Sequence, residues 1–97
     1  MTKHTPGPWN FYDDSNDGKT NRIEIVAVGK TVARIYHSVP AEDLPNARLI
    51  AAAPDLLEAL ETALDGWQRE FEYLAKRTPE WVTKARAAIA KATGEQA

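Results

Sequence analysis

A stripe of apolar residues recurs every three or four positions through the second half of the chain, and it constrains the fold more than any other feature. Such spacing places the residues on one face of a helix. From Leu57 onward the side chains are large, and burying each favours folding by roughly 1.5–3 kcal/mol before the entropy of ordering is subtracted. The stripe comprises Ile50, Ala53, Leu57, Leu60, Leu64, Trp67, Phe71 and Leu74.

Prolines and capping residues divide this half of the chain into three predicted helices. Strong helix formers favour a short first helix, and Pro54 suits the opening turn of the next one. Thr78 and Pro79 indicate the start of a return helix, which Gly94 is placed to close. The predicted bounds are about 46–53, 54–76 and 79–93.

The first third of the chain alternates between apolar and polar residues, as β-strands do. Strands are expected at 9–12, 22–27 and 31–36, with a tight turn at Gly29 between the last two. Together they predict a small antiparallel β-meander at about 9–37.

The lengths of the two longer helices predict where the sheet packs. At 1.5 Å per residue they span about 34 Å and about 22 Å, so the return helix leaves Leu56, Leu57 and Leu60 uncovered. We expect the sheet to cover most of this surface. The 97 residues suffice for one core. The sequence therefore predicts a single α+β domain, 1–97: a three-stranded antiparallel meander packed on an antiparallel helical hairpin that a short helix precedes.

Composition excludes several functional classes. The chain has no cysteine, so thiolate metal sites and disulfides are absent. A net charge of −2 gives no overall attraction to nucleic acid or other polyanions. No apolar run approaches the roughly 20 residues that cross a bilayer, and the N-terminus lacks the apolar core of a signal peptide. We expect a soluble cytoplasmic protein with no cofactor and no membrane contact.

An acidic loop between the first two strands has partial calcium-loop spacing. Its candidate ligands would be Asp13, Ser15, Asp17 and Glu24. No helix can precede this loop so soon after Pro8, and a strand follows it, so an acidic hairpin loop without metal is the favoured interpretation. Catalysis is not expected either, because His4 and His37 are separated and no nucleophile, base or metal-ligand set accompanies them.

Four residues are candidates for binding a small anionic ligand. Asn46 and Arg48 open the predicted first helix, where free N–H groups and the helix dipole favour an anion. Trp9 or Tyr36 could stack beside it. The alternatives are that Asn46 only caps the helix while Arg48 pairs with Glu42 or Asp43, and that Trp9 anchors the N-terminal arm on the core.

Two surfaces are candidates for larger partners. Exposed apolar residues of the helices would suit a protein partner or a second copy of the chain; they are Leu56, Leu60, Trp67, Phe71, Tyr73 and Trp81. Arg77, Lys84 and Lys91 recur every seven residues and would form a basic row able to meet nucleic-acid phosphates. The favoured interpretation of that row is a solvated face that pairs loosely with Glu72 and Asp65, since no aromatic residues are interleaved with it.

Three strings of residues resemble a known group of proteins. They are His4 to Trp9 (HTPGPW), the strand from Gly29 to Tyr36, and Asn46 to Leu60 (NARLIAAAPDLLEAL). These strings cover about half the chain and resemble short accessory proteins of tailed phages and prophages, most of which have no assigned activity. The acidic loop and the helix beyond Glu61 are less similar to that group, so a special task of this member would reside there.

The resemblance implies a protein made inside an infected bacterium and brings no catalytic residues with it. The sequence then favours a non-enzymatic binding protein, such as a counter-defence inhibitor of a host protein or a sponge for a signalling nucleotide. A nucleic-acid-binding or regulatory module that uses the basic return helix is the alternative.

Overall fold

The computed structural model describes residues 4–13, 22–36 and 40–95. Three antiparallel strands in one sheet and three α-helices confirm the predicted α+β class. The chain divides into two compact units: residues 5–55 form the first, and residues 56–95 belong to the second. No helix in the described parts of the chain is long and apolar enough to cross a membrane.

The sheet is a meander of strands β1 (Asn10–Asp13), β2 (Arg22–Ala27) and β3 (Lys30–Tyr36), as predicted. The strands are adjacent in chain order, and both neighbouring pairs are antiparallel. Gly29 lies in the turn between β2 and β3 with a φ of +80°. Glycine suits this position because it has no Cβ to clash in the left-handed region.

A β-bulge interrupts the pairing of β2 with β3. Val26 pairs with Thr31 and Ile25 pairs with Ala33, so Val32 is an extra residue without a partner in β2. Val32 packs against the core together with Ala33. Beyond the bulge, Ile23 lies opposite Ile35, and the apolar residues of the two strands share one face.

The first helix, α1 (Pro40–Ala51), starts six residues earlier than predicted, so the start at residue 46 was wrong. Pro40 is well suited to the first position of a helix. Pro45 lies inside the helix at the cost of one backbone hydrogen bond, and burial of one helix face offsets that cost. Ala47 on this face is fully buried with Ile23 and Ile25, and Leu44 and Ile50 pack beside them. The apolar face of the sheet is therefore covered by α1.

The N-terminal arm packs against the same unit. The indole Nε1 of Trp9 donates a hydrogen bond to the carbonyl oxygen of Thr5 at 2.9 Å, and the ring packs on the core. A Cβ built on Gly7 would lie 3.3 Å from the side chain of the buried Pro54, so only glycine fits without displacement. Gly7 of the HTPGPW string thus lies against Pro54 of the NARLIAAAPDLLEAL string.

The second helix, α2 (Ala53–Glu70), begins after the single turn residue Ala52, as Pro54 predicts, but it ends six residues before the predicted residue 76. A short 3₁₀ helix, Glu72–Leu74, follows α2. In it the N–H of Leu74 donates a hydrogen bond to the carbonyl oxygen of Phe71 at 3.0 Å. Aromatic residues gain less from the α-helix than alanine or leucine. The apolar stripe therefore breaks at Phe71, and Phe71 and Leu74 are exposed.

The third helix, α3 (Glu80–Thr93), matches its predicted bounds within one residue. Gly94 ends it in the left-handed conformation, and the N–H of Glu95 bonds the Ala90 carbonyl at 2.9 Å. Contacts join the end of α2 to the start of α3, as in a helical hairpin. Among the described residues, this unit buries few side chains: Leu64, Val82 and Ala85.

Candidate functional site

The face of the sheet opposite α1 carries charged and aromatic side chains from all three strands. In the register, Tyr12 of β1 and Arg34 of β3 flank Glu24 of β2, and Arg22 lies opposite Tyr36. Paired residues of neighbouring strands project to the same face. We call these five residues, Tyr12, Arg22, Glu24, Arg34 and Tyr36, the sheet cluster.

Glu24 is the buried centre of the sheet cluster. Only 4% of the residue is exposed. Its Oε1 accepts a hydrogen bond from Nε of Arg34 at 2.9 Å and lies 2.7 Å from Nε of Arg22. Its Oε2 is also buried and has no hydrogen-bond partner among the described residues. One carboxylate therefore positions two guanidinium groups and keeps an unused acceptor.

The pKa of Glu24 reflects opposing effects. Burial disfavours the carboxylate and raises the pKa, but the hydrogen bond and positive charge of Arg34, followed by those of Arg22, outweigh it. The pKa of Glu24 consequently lies below its ordinary value near 4.5. The same hydrogen bond raises the pKa of Arg34. At neutral pH the sheet cluster has two positive charges and one negative charge.

Replacing Glu24 by glutamine should destabilise the protein at neutral pH, because Arg22 and Arg34 both pair with this buried carboxylate and lose its charge. We expect the melting temperature to fall by about 5 °C or more at pH 7. A carboxyl with a lowered folded-state pKa stabilises above its unfolded pKa, and this contribution disappears as the pH falls through the folded pKa. The difference between wild type and variant should therefore shrink below the ordinary pKa of glutamate and vanish once the pH is below the lowered pKa of Glu24 in the folded protein.

Thermal unfolding of both proteins between pH 7 and pH 2 tests this expectation. Glu80→Gln is the matched control, because Glu80 is an exposed partner of Lys84 at 3.0 Å within one helix. A Glu24→Gln difference that stayed constant across this range would show that charge does not cause the stabilisation.

The second unit exposes large apolar residues from the end of α2 to the start of α3. The ring of Trp81 packs edge-on against Trp67 with centroids 6.2 Å apart, and the N–H of Phe71 bonds the Trp67 carbonyl at 2.9 Å. Tyr73 is 77% exposed and Leu74 is 67% exposed. We call Phe71, Tyr73, Leu74 and Trp81 the aromatic patch. At its edge, Arg86 lies 5.9 Å from the Trp67 ring centroid and pairs with Glu72 at 3.4 Å.

The structure does not bring the four predicted ligand-binding residues together. Trp9 packs on the core side of the sheet, whereas Tyr36 is exposed on the opposite face. Asn46 lies exposed in the middle of α1 and Arg48 lies exposed in its last turn, so neither residue is at the start of the helix. The helix begins at Pro40, so Asn46 neither caps it nor offers free N–H groups to an anion. Of the four, only Tyr36 belongs to the sheet cluster.

The calcium-loop candidates are only partly described. Ser15 and Asp17 lie outside the described residues. The register places Asp13 opposite Ile23 and Tyr12 opposite Glu24, so Asp13 and Glu24 project to opposite faces of the sheet. Within the described ranges no group of acidic or histidine side chains is arranged to hold a metal ion.

The predicted interface residues and the basic row have different environments. Leu56, Phe71, Tyr73 and Trp81 are exposed, and Leu60 and Trp67 are half-buried. Lys84 and Lys91 lie on α3, but Arg77 precedes the helix, so the three do not form one helical row. Lys84 also pairs with Glu80.

Sequence reasoning missed the two arginines of the sheet cluster and assigned Glu24 only to a calcium loop. The signal was present in the spacing: Arg22 and Glu24, and likewise Arg34 and Tyr36, are two residues apart on predicted strands and therefore share a face. A register was needed to place one pair beside the other.

The geometry defines a small α+β protein with a charged sheet face in one unit and an exposed aromatic patch in the other. Residues 1–96 match the family model described as Salmonella phage P22 protein Y8K6, and the chain belongs to this phage protein family. The match includes the acidic loop and the helix beyond Glu61. No curated protein and no solved structure matches the chain significantly.

Proposed function

We propose that this protein is a non-enzymatic phage accessory protein that binds a protein of the infected bacterium through the aromatic patch. Inhibition of a host defence protein is the specific role proposed for this binding, and the host cytoplasm is the proposed compartment. Membership of a phage protein family supports the setting. The exposure of the aromatic patch is the observation that carries the proposal.

The composition of the aromatic patch resembles that of protein-binding surfaces. Tyrosine, tryptophan and arginine are the residues most enriched among those that dominate binding energy. Here Tyr73 and Trp81 are exposed, and Arg86 lies beside Trp67. Exposed apolar residues with a charged rim, here the Arg86–Glu72 pair, typically mark interaction sites.

The small core of this unit strengthens the same interpretation. Large side chains of the patch remain in solvent while Leu64, Val82 and Ala85 are its buried residues among those described. Covering Tyr73 and Leu74 with a partner would remove apolar surface from water at about 25 cal/mol per Å² before the costs of association.

The double variant Tyr73→Ala, Leu74→Ala should abolish partner binding while leaving the protein folded, since both side chains are exposed. Tagged wild type, the double variant and the control Val28→Ala would be used to capture host proteins, and the captured protein purified for direct titration. Val28 is 94% exposed and lies in the sheet unit. We expect the affinity to fall at least about 30-fold in the double variant, for a loss of about 2 kcal/mol, and to remain unchanged in the control.

Two results would overturn this proposal. One is a host protein bound equally by wild type and by the double variant, or no specific host protein at all. The other is a solution mass of twice 10.7 kDa for the wild type that halves in the double variant, because the aromatic patch would then join two copies of the chain.

A further inference from the structure

We propose that the sheet cluster binds a nucleotide, with the phosphate on the guanidinium group of Arg34 and the base stacked on Tyr36. This site lies on the first unit and does not depend on the aromatic patch or on the proposed protein partner. The five residues, their register and their burial carry the inference.

Arg34 is prepared for an anion by its buried partner. Its Nε is bound to Oε1 of Glu24 at 2.9 Å, and among the described residues Glu24 is its hydrogen-bond partner. The side chain is 50% exposed. Because Nε donates to the carboxylate, the terminal N–H groups of Arg34 can still donate to an anion. The forked geometry of a guanidinium group matches two phosphate oxygens. A fixed guanidinium loses less entropy on binding than a freely rotating side chain.

The tyrosines supply stacking surfaces at a suitable distance. Arg34 and Tyr36 are two positions apart on one face of β3, which separates their Cα atoms by about 7 Å. Tyr12 and Arg34 stand on the two outer strands, with Glu24 between them, about 10 Å apart. Both tyrosines are exposed. A nucleotide carries its phosphate and its planar base at a comparable separation, so one molecule can contact the cation and the ring together.

The unused acceptor of Glu24 provides a second and independent indication of a ligand. Oε2 is buried without a hydrogen-bond partner among the described residues, and such an acceptor is costly to leave unsatisfied. A ligand that combines a phosphate with an N–H donor suits a cluster of two guanidinium groups and one unsatisfied carboxylate oxygen. Nucleotide bases carry such donors. Inorganic phosphate and simple carboxylic acids carry no N–H.

The charge of the sheet cluster favours a small ligand over a surface. Its net charge is +1, from Arg22, Arg34 and Glu24, whereas lipid headgroup recognition by membrane proteins uses clusters of about four to eight basic residues. Two aromatic rings beside a cation are typical of sites that stack bases.

Titration calorimetry with AMP, GMP, CMP and UMP tests the proposal, and amide NMR spectra recorded in parallel locate the site. We expect at least one nucleotide to bind and to shift the amides of β2 and β3, while inorganic phosphate and the matching nucleoside bind at least about tenfold more weakly, since each carries half of the recognised groups. Arg34→Gln should weaken binding about tenfold or more. Tyr36→Leu should weaken it about fivefold or more, and Tyr36→Phe, which keeps the ring, should not.

Arg69→Gln is the matched control, because Arg69 is an exposed arginine of α2 that pairs with Asp65 within one helix. It should bind like the wild type, and so should the Tyr73→Ala, Leu74→Ala variant. Tyr36 is largely exposed, so its variants test the site even if Arg34→Gln does not fold. The proposal is wrong if none of the four nucleotides binds, if Tyr36→Leu binds as tightly as Tyr36→Phe, or if phosphate alone binds as tightly as the nucleotide. A single-stranded oligonucleotide that binds far more tightly than any mononucleotide would also overturn it, by assigning the cluster to a nucleic-acid strand.

Discussion

Replacing Trp67 by alanine should lower the free energy of unfolding by about 3 kcal/mol. Full burial of a tryptophan makes such a change cost about 3–5 kcal/mol, and Trp67 is half-buried, so the lower end of this range applies. The indole also contacts the Trp81 ring at 6.2 Å and the Arg86 guanidinium at 5.9 Å, and both contacts are lost. Among the described residues of this unit, few other side chains are buried.

Urea denaturation followed by circular dichroism measures the effect, with Tyr73→Ala as the aromatic control. Tyr73 is 77% exposed, so its loss should change the stability by less than about 0.5 kcal/mol. Equal midpoints for Trp67→Ala and Tyr73→Ala would mean that the contacts of Trp67 contribute no stability. Urea denaturation of the Tyr73→Ala, Leu74→Ala double variant distinguishes loss of partner binding from unfolding.

The helices could be predicted from the sequence to the extent that local signals decide their ends. Pro54 and Gly94 affect only the helix turn next to them. The start of α2 that Pro54 predicts and the end of α3 that Gly94 predicts were confirmed within one residue. The start of α1 depends on tertiary packing instead. Pro45 is unfavourable inside a helix, and the burial of Ala47 against Ile23 and Ile25 helps to offset its cost in a helix that continues back to Pro40.

The sheet cluster could not be predicted without the β-bulge. A regular hairpin that continued from the Ala27–Lys30 pair would place Ala33 opposite Glu24, and Arg34 would then lie on the opposite face. The extra residue, Val32, shifts the register by one and places Arg34 beside Glu24. In a regular hairpin with a two-residue turn, Ala33 and Ile35 would lie on the face of Glu24, away from Ile23 and Ile25. Their apolar character instead places them on the face of the two isoleucines, and this conflict was the sequence signal for a bulge.

Two of the three strings that carry the family resemblance have a structural role. The HTPGPW arm and residues 46–54 meet where Gly7 lies against Pro54, and Trp9 and Ile50 both pack against the core cluster that contains Ala47. These contacts build the core of the first unit, and they include none of the residues of the sheet cluster or the aromatic patch. These two strings therefore account for a fold, whereas the third string, Gly29 to Tyr36, contains Arg34 and Tyr36 of the sheet cluster.

Replacing Ile25 by alanine should lower the free energy of unfolding by about 2–5 kcal/mol. Ile25 is fully buried between Phe11 and Ala33 of the neighbouring strands and lies in the same cluster as Ala47 of α1. Truncation removes apolar contacts and leaves a cavity that the sheet and α1 cannot close completely. Ile25 also precedes the bulge, so its loss weakens the apolar pairing that fixes the register.

Val28→Ala is the matched aliphatic control for this experiment, because Val28 lies three residues further along and is 94% exposed. We expect its stability to stay within about 0.5 kcal/mol of wild type, whereas Ile25→Val should cost about 1 kcal/mol. Urea midpoints in the order Val28→Ala, Ile25→Val, Ile25→Ala, from highest to lowest, would support a core built between the sheet and α1. An Ile25→Ala midpoint equal to that of Val28→Ala would contradict it, and the position of Glu24 and Arg34 on the other face would then lose its structural basis.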